Sequence, residues 1–117
     1  MSFALIHRDE CETAGNWRLV RRSLAVQSFG VNLVDIPPGE QLPAHDETAR
    51  EQEELFYVLR GSPTLVIDGE DHVARAGTFA RIDPEHPRTV RNDGDGEASV
   101  LIVSAPRASG YEPMDWA

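Results

Sequence analysis

The chain has 117 residues, 40% hydrophobic and 26% charged, which suits one domain with its own core and excludes a disordered segment. A formal net charge of -9 repels phosphate backbones, so nucleic acid is not an expected partner. No apolar run reaches the length of a membrane span and the N-terminus lacks a signal-peptide core, so the expected setting is cytoplasmic, with no membrane partner.

In chain order, a charged N-terminal segment carries His7, expected at the surface, and the single cysteine Cys11, which leaves no intrachain disulfide or Cys-rich zinc site. Asn16 to Leu24 alternates weakly and is expected to form an outer or exchanged strand. Phe29 to Ile36 alternates more clearly and stops at Pro37-Pro38-Gly39. The acidic stretch Thr48 to Glu54, with Asp46 or Thr48 as N-cap, is the one helical candidate and predicts a single turn. Leu55 to Leu59 is β-type and closed by Gly61. Thr64 to Ile67 leads into Asp68-Gly69, a strong type I′ hairpin signal, and His72 to Arg75 is the expected return strand, with His72 at the surface. Thr78 to Ile82 and Arg88 to Arg91 follow, separated by Asp83-Pro84. After the turn at Asn92 to Gly96, Glu97 to Val103 reads as a nearly all-apolar final strand covered on both faces.

This rhythm of short strands and turns predicts an all-β sandwich or barrel. The whole of residues 1–117 is expected to be one domain, with a barrel core over 29–104, an N-terminal strand segment over 16–28 and a C-terminal tail over 105–117. Tyr111 and Trp116 are expected to tack the tail onto the barrel.

Five residues separate Gly39 from His45, and six separate Glu54 from Gly61. These spacings resemble the first sequence motif of the cupin superfamily, and Gly77 to Asn92 has the total length of the second. The resemblance implies a small double-stranded β-helix, the cupin-type jelly-roll barrel. It also implies a metal centre: His45 and Glu54 stand at ligand positions, Glu47 stands where the motif has a second histidine, and Arg88 stands where the second motif has its histidine. His86, two residues earlier, joins a set of His45, Glu47, Glu54 and His86 if the turn from Asp83 to Pro87 is rearranged. Such a set suits one divalent transition metal (Fe, Mn, Ni or Zn), while the departures from the motif describe a degenerate site that holds none.

Strand parity adds the pocket. If Glu54 faces inward, Phe56 and Val58 do so too, with Glu53 outward, and an inward Arg88 brings Val90 with it. Arg88, Phe56, Val58 and Val90 are therefore candidate substrate contacts, and His45 and Glu54 the candidate catalytic groups. Arg88 has two open roles, an ion pair with Glu54 that clamps a small anion, or a surface side chain. Leu55, Tyr57 and Leu59 make the outer face apolar as well, which predicts a homodimer. The expected function is binding of a small polar or anionic molecule in a barrel with a degenerate metal site. The alternatives are a metal-dependent dioxygenase, isomerase or decarboxylase, and a metal-free isomerase or lyase. The chain has no lysine, which excludes Schiff-base catalysis.

Overall fold

The alternating segments pair into two antiparallel sheets, in a computed structural model that describes residues 2–117. The strands are β1 (Thr13–Ala14), β2 (Trp17–Arg18), β3 (Gly30–Ile36), β4 (Gln52–Arg60), β5 (Thr64–Ile67), β6 (Glu70–Val73), β7 (Phe79–Ile82), β8 (Arg88–Arg91) and β9 (Ala98–Pro106). One sheet runs β1-β2-β3-β9-β4-β7 and the other β6-β5-β8. Side chains of Val34, Ile36, Phe56, Val58, Leu65, Ile82, Val90 and Val100 fill the space between them. This is the all-β architecture that the strand rhythm predicted, in the jelly-roll form that the resemblance implied.

Local chemistry accounts for the register. Asp68 (φ 54°) and Gly69 (φ 78°) both take the left-handed conformation that a type I′ turn needs, so β6 begins directly at Glu70. The return strand thus starts two residues before the expected position. On β4, Glu54, Phe56 and Val58 are buried while Glu53, Leu55 and Leu59 are exposed, as period-two alternation requires. Gly61 closes the strand at φ 80°, with a would-be Cβ only 3.0 Å from the Ala98 backbone, so any side chain there is strained by the backbone angle and crowds β9.

Three expectations are corrected. Thr48 to Glu54 is not helical: Glu51 turns left-handed (φ 49°), and Gln52, Glu53 and Glu54 pair with Pro106, Ala105 and Ser104 of β9. Sheet pairing outweighs the weak helix propensity of the acidic run. Asn16 to Leu24 is not one strand. Only Trp17–Arg18 is extended, against Val34 and Leu33, and the chain then forms α1 (Val20–Leu24), capped by Ala25 in the left-handed region. The tail does not pack onto the barrel, since Tyr111 and Trp116 are 75% and 84% exposed. β9 ends at Pro106, which supplies no backbone donor, and Gly110 (φ 82°) bends the chain beyond it. No helix is long and apolar enough to cross a membrane.

One polar knot ties the N-terminal segment to the sheet. Asp35 on β3 accepts from Ser99 Oγ at 2.6 Å, from Arg18 Nε at 3.4 Å and from Arg8. Burial pushes this carboxyl up, but Ser99, Arg8 and Arg18 together outweigh burial and hold it below the usual carboxylate range. Its stabilising contribution is therefore present above the ordinary carboxylate range and is lost as pH falls through the lowered folded value. Asp35→Asn is expected to cost about 1–3 kcal/mol at neutral pH and to flatten the acid limb of stability against pH. Urea denaturation across pH 2–7 checks this, and an unchanged acid limb contradicts it.

Candidate functional site

The site lies where an irregular strand meets β8. Gln41 bridges to Arg91 and His45 to Arg88, extending the smaller sheet by one edge segment. The His45 amide donates to Arg88 O at 3.1 Å, and the Arg88 amide donates to His45 O at 2.8 Å. His45 and Arg88 are therefore cross-strand partners. Glu54 reaches the same place from β4 in the opposite sheet, its buried side chain facing inward.

The stretch after His45 positions a third group. Asp46 Oδ1 accepts from the Thr48 amide at 3.1 Å and from Thr48 Oγ1 at 2.8 Å, a side-chain turn that fixes the loop. The Glu47 amide donates to Pro84 O at 2.9 Å. Anchored there, Glu47 joins His45 and Glu54, and one ligand atom from each lies within 4.8 Å of the others. His45 Nε2 is 4.0 Å from Glu54 Oε1. The cluster grades from exposed His45 through half-buried Glu47 to buried Glu54.

Arg88 sits behind this cluster at 1% exposure, so it does not extend to the surface. Nη1 donates to Glu54 Oε1 at 2.7 Å, Nε to His86 O at 2.8 Å, and Nη2 to Asp83 O at 2.6 Å. All three nitrogens are committed to protein acceptors, so the guanidinium is a clamp on Glu54 and on the Asp83 to His86 turn. Nη1 and Nη2 each carry a second N–H beyond these bonds. That same turn carries the His86 ring away: Nδ1 lies 2.7 Å from Asp68 Oδ2 at the β5–β6 hairpin. His86 therefore stays outside the cluster, and the four-ligand arrangement does not form.

Burial raises the Glu54 carboxyl above the usual carboxylate range, and the Glu47 charge raises it further, against the opposing pull of Arg88 and His45. Two carboxylates thus share a floor with one fixed guanidinium behind them. A cleft of about 800 Å³ opens over it, lined by His45, Glu47, Glu54, Gln52, Arg50 and Arg21 among others. That volume is in the range of small-molecule sites. A smaller recess of about 200 Å³ lies deeper, against Phe56, Val90, Leu42 and Ile102, and shares Trp17, His45 and Ile102 with the cleft. Phe56 and Val90 thus line the recess, whereas Val58 is wholly buried core and lines neither space. Arg21, Arg50 and Trp17 are cleft residues that the sequence reading missed. Only Arg50 carried a signal, its place in the insert between His45 and Glu54.

The family model described as Cupin domain matches residues 32–104. The chain belongs to the cupin family. Among solved structures this cupin is similar to a cupin protein from Bacteroides fragilis, at 21% identity and TM-score 0.82, over 99% of this chain and 93% of that one. It is also similar to a sugar phosphate isomerase of the cupin superfamily from Silicibacter pomeroyi. There the identity is 25% and the TM-score 0.66, over 78% of this chain and 60% of that one. A predicted oxalate decarboxylase from Thermotoga maritima is 22% identical, with TM-score 0.61, over 66% of this chain and 65% of that one. No curated protein matches the chain. These neighbours share the fold and differ in their named activities, so the fold alone does not select a reaction.

Proposed function

We propose that this cupin binds a small polar or anionic molecule in the cleft, above a reduced metal site formed by His45, Glu47 and Glu54. The observation that carries the reading is the convergence of three donor atoms within 4.8 Å on the floor of an 800 Å³ cleft. One imidazole and two carboxylates suit a divalent transition metal such as Fe, Mn, Ni or Zn. Such an ion relieves the repulsion between Glu47 and Glu54 that contributes to the raised Glu54 carboxyl. Arg88 donates to Glu54 Oε1, the oxygen that lies 4.0 Å from His45 Nε2, and so fixes the carboxylate beside the imidazole. Bound there, the metal supplies Lewis acidity to an oxygen of the ligand. The protein residues hold the floor in place, with Glu54 fixed by Arg88 and Glu47 by its turn.

Manganese(II) titration of the protein, together with metal analysis after purification without chelator, tests this reading. Glu54→Gln and His45→Ala are each expected to weaken manganese binding at least tenfold, on the order of 1.4 kcal/mol. Binding unaffected by both substitutions removes the proposal. A proton on Glu54 competes with the ion, so affinity rises as pH increases through the raised carboxyl value and falls below it.

The raised Glu54 carboxyl favours a second reading, a metal-free isomerase or lyase with Glu54 or His45 as general base. Turnover that survives chelation and is lost in Glu54→Gln distinguishes it.

A homodimer is part of the proposal. Tyr57 and Phe79 stack on the outer face with ring centroids 4.4 Å apart, and Leu55, Leu59 and Phe79 are 39%, 47% and 68% exposed. A contiguous apolar face of this kind favours association with a second copy. Phe79→Asp is expected to convert a dimer into a monomer in light scattering coupled to size exclusion. A monomeric parent protein contradicts the proposal.

A further inference from the structure

The pairing of arginines across the molecule bears on what enters the cleft. The chain has 20 acidic residues against 11 arginines, so a cation without an acid partner runs against composition. Among the described residues, all the arginines make ion pairs within 4.0 Å except Arg21, Arg50 and Arg75. Two of these three, Arg21 and Arg50, line the same cleft.

Both are held there by local structure. Arg21 leaves α1, and its Nη1 donates to Val26 O at 3.3 Å beyond the left-handed cap at Ala25. Arg50 stands on the turn that also positions Glu47, with its amide donating to Glu47 O at 3.3 Å. Both guanidiniums are exposed, so each keeps donors for an incoming group. Deeper in, the charge reverses: Glu47 and Glu54 repel an anion, and Arg88 is already paired with Glu54 and bonded to the His86 and Asp83 carbonyls.

We infer that Arg21 and Arg50 bind the anionic end of the ligand at the mouth of the cleft, leaving its uncharged polar end to face His45, Glu47 and Glu54. The substrate class is a small molecule with a phosphate or carboxylate at one end and hydroxyl or carbonyl oxygens at the other. Guanidinium forks match both oxyanions, and two of them lining one cleft with Glu47 and Glu54 select a ligand long enough to reach from the arginines to the carboxylates. The inference rests on the proposed small-molecule cleft and specifies which side chains choose its ligand.

Calorimetric titration of the full chain with inorganic phosphate, and separately with acetate as the carboxylate probe, tests it at low ionic strength. Saturable binding of at least one probe is expected, weakened three- to tenfold in Arg21→Gln and in Arg50→Gln. Arg75→Gln, which makes the same charge change at the third unpaired arginine, is expected to leave binding unchanged. Which probe binds identifies the oxyanion. No saturable binding of either probe, equal weakening in Arg75→Gln, or full binding in the Arg21→Gln/Arg50→Gln double variant overturns the inference. Manganese binding by the double variant separates the two levels. If it is retained while the arginines prove irrelevant to phosphate and acetate, the floor stands and the rim assignment falls. Manganese binding indifferent to Glu54→Gln removes the metal floor whatever the arginines do.

Discussion

Arg88→Ala is expected to lower the unfolding free energy by about 3–5 kcal/mol in urea denaturation. The magnitude follows from what is left behind. Glu54 is buried, and its Oε1 loses the one guanidinium within 4.0 Å of it among the described residues. The carbonyls of Asp83 and His86 lose the Arg88 side chain as a donor at the same time, which loosens the turn between β7 and β8, where Asp83 O keeps the His86 amide. The cross-strand backbone bonds between His45 and Arg88 remain, so the fold itself is retained. Arg88→Lys restores charge without the planar fork and recovers only part of the loss. An Arg88→Leu/Glu54→Leu double variant is expected to be more stable than Arg88→Ala, because neither charge is then buried alone. Single losses that simply add in the double variant contradict a coupled pair.

Phe56→Ala is expected to cost about 3–5 kcal/mol, the range for truncating a buried aromatic residue. Phe56 is 2% exposed, and its ring packs in the core while forming one wall of the inner recess with Val90 and Ile102. Truncation joins the lost volume to a recess of about 200 Å³ that already exists, so the surroundings have little reason to collapse. Phosphate or acetate binding at the rim is expected to persist in the folded fraction, because Phe56 lies on the recess and not on the cleft. Thermal melting and the same calorimetric titration check both halves. A loss below about 1 kcal/mol indicates that the site refills, contrary to the packing described.

Much of this was legible because it depends on short-range pattern. Period-two alternation on β4 fixed which way Glu54 and Phe56 point, and Asp68-Gly69 fixed a hairpin whose two positive φ angles are on display. The Glu54–Arg88 pair was one of two roles left open for Arg88, and burial of the guanidinium decides between them. What escaped depends on contacts far apart in sequence. His86 is drawn outward by Asp68, a residue of another hairpin. Thr48 to Glu54 has helical composition, yet its second half is claimed by β9, about fifty residues downstream. Arg21 carries no local sign of its role, because only the packing of α1 beside β3 brings it to the cleft. The tail aromatics Tyr111 and Trp116 signalled packing by composition, but the single chain gives them no surface to cover.

The most direct test of the central claim is line broadening by manganese(II) in amide NMR spectra of the intact protein. Substoichiometric broadening is expected to centre on His45, Glu47, Glu54 and Arg88, with the Asp68–His86 pair much less affected and the effect abolished in Glu54→Gln. Broadening centred on Asp68 and His86, or spread evenly over the acidic surface, contradicts the claim.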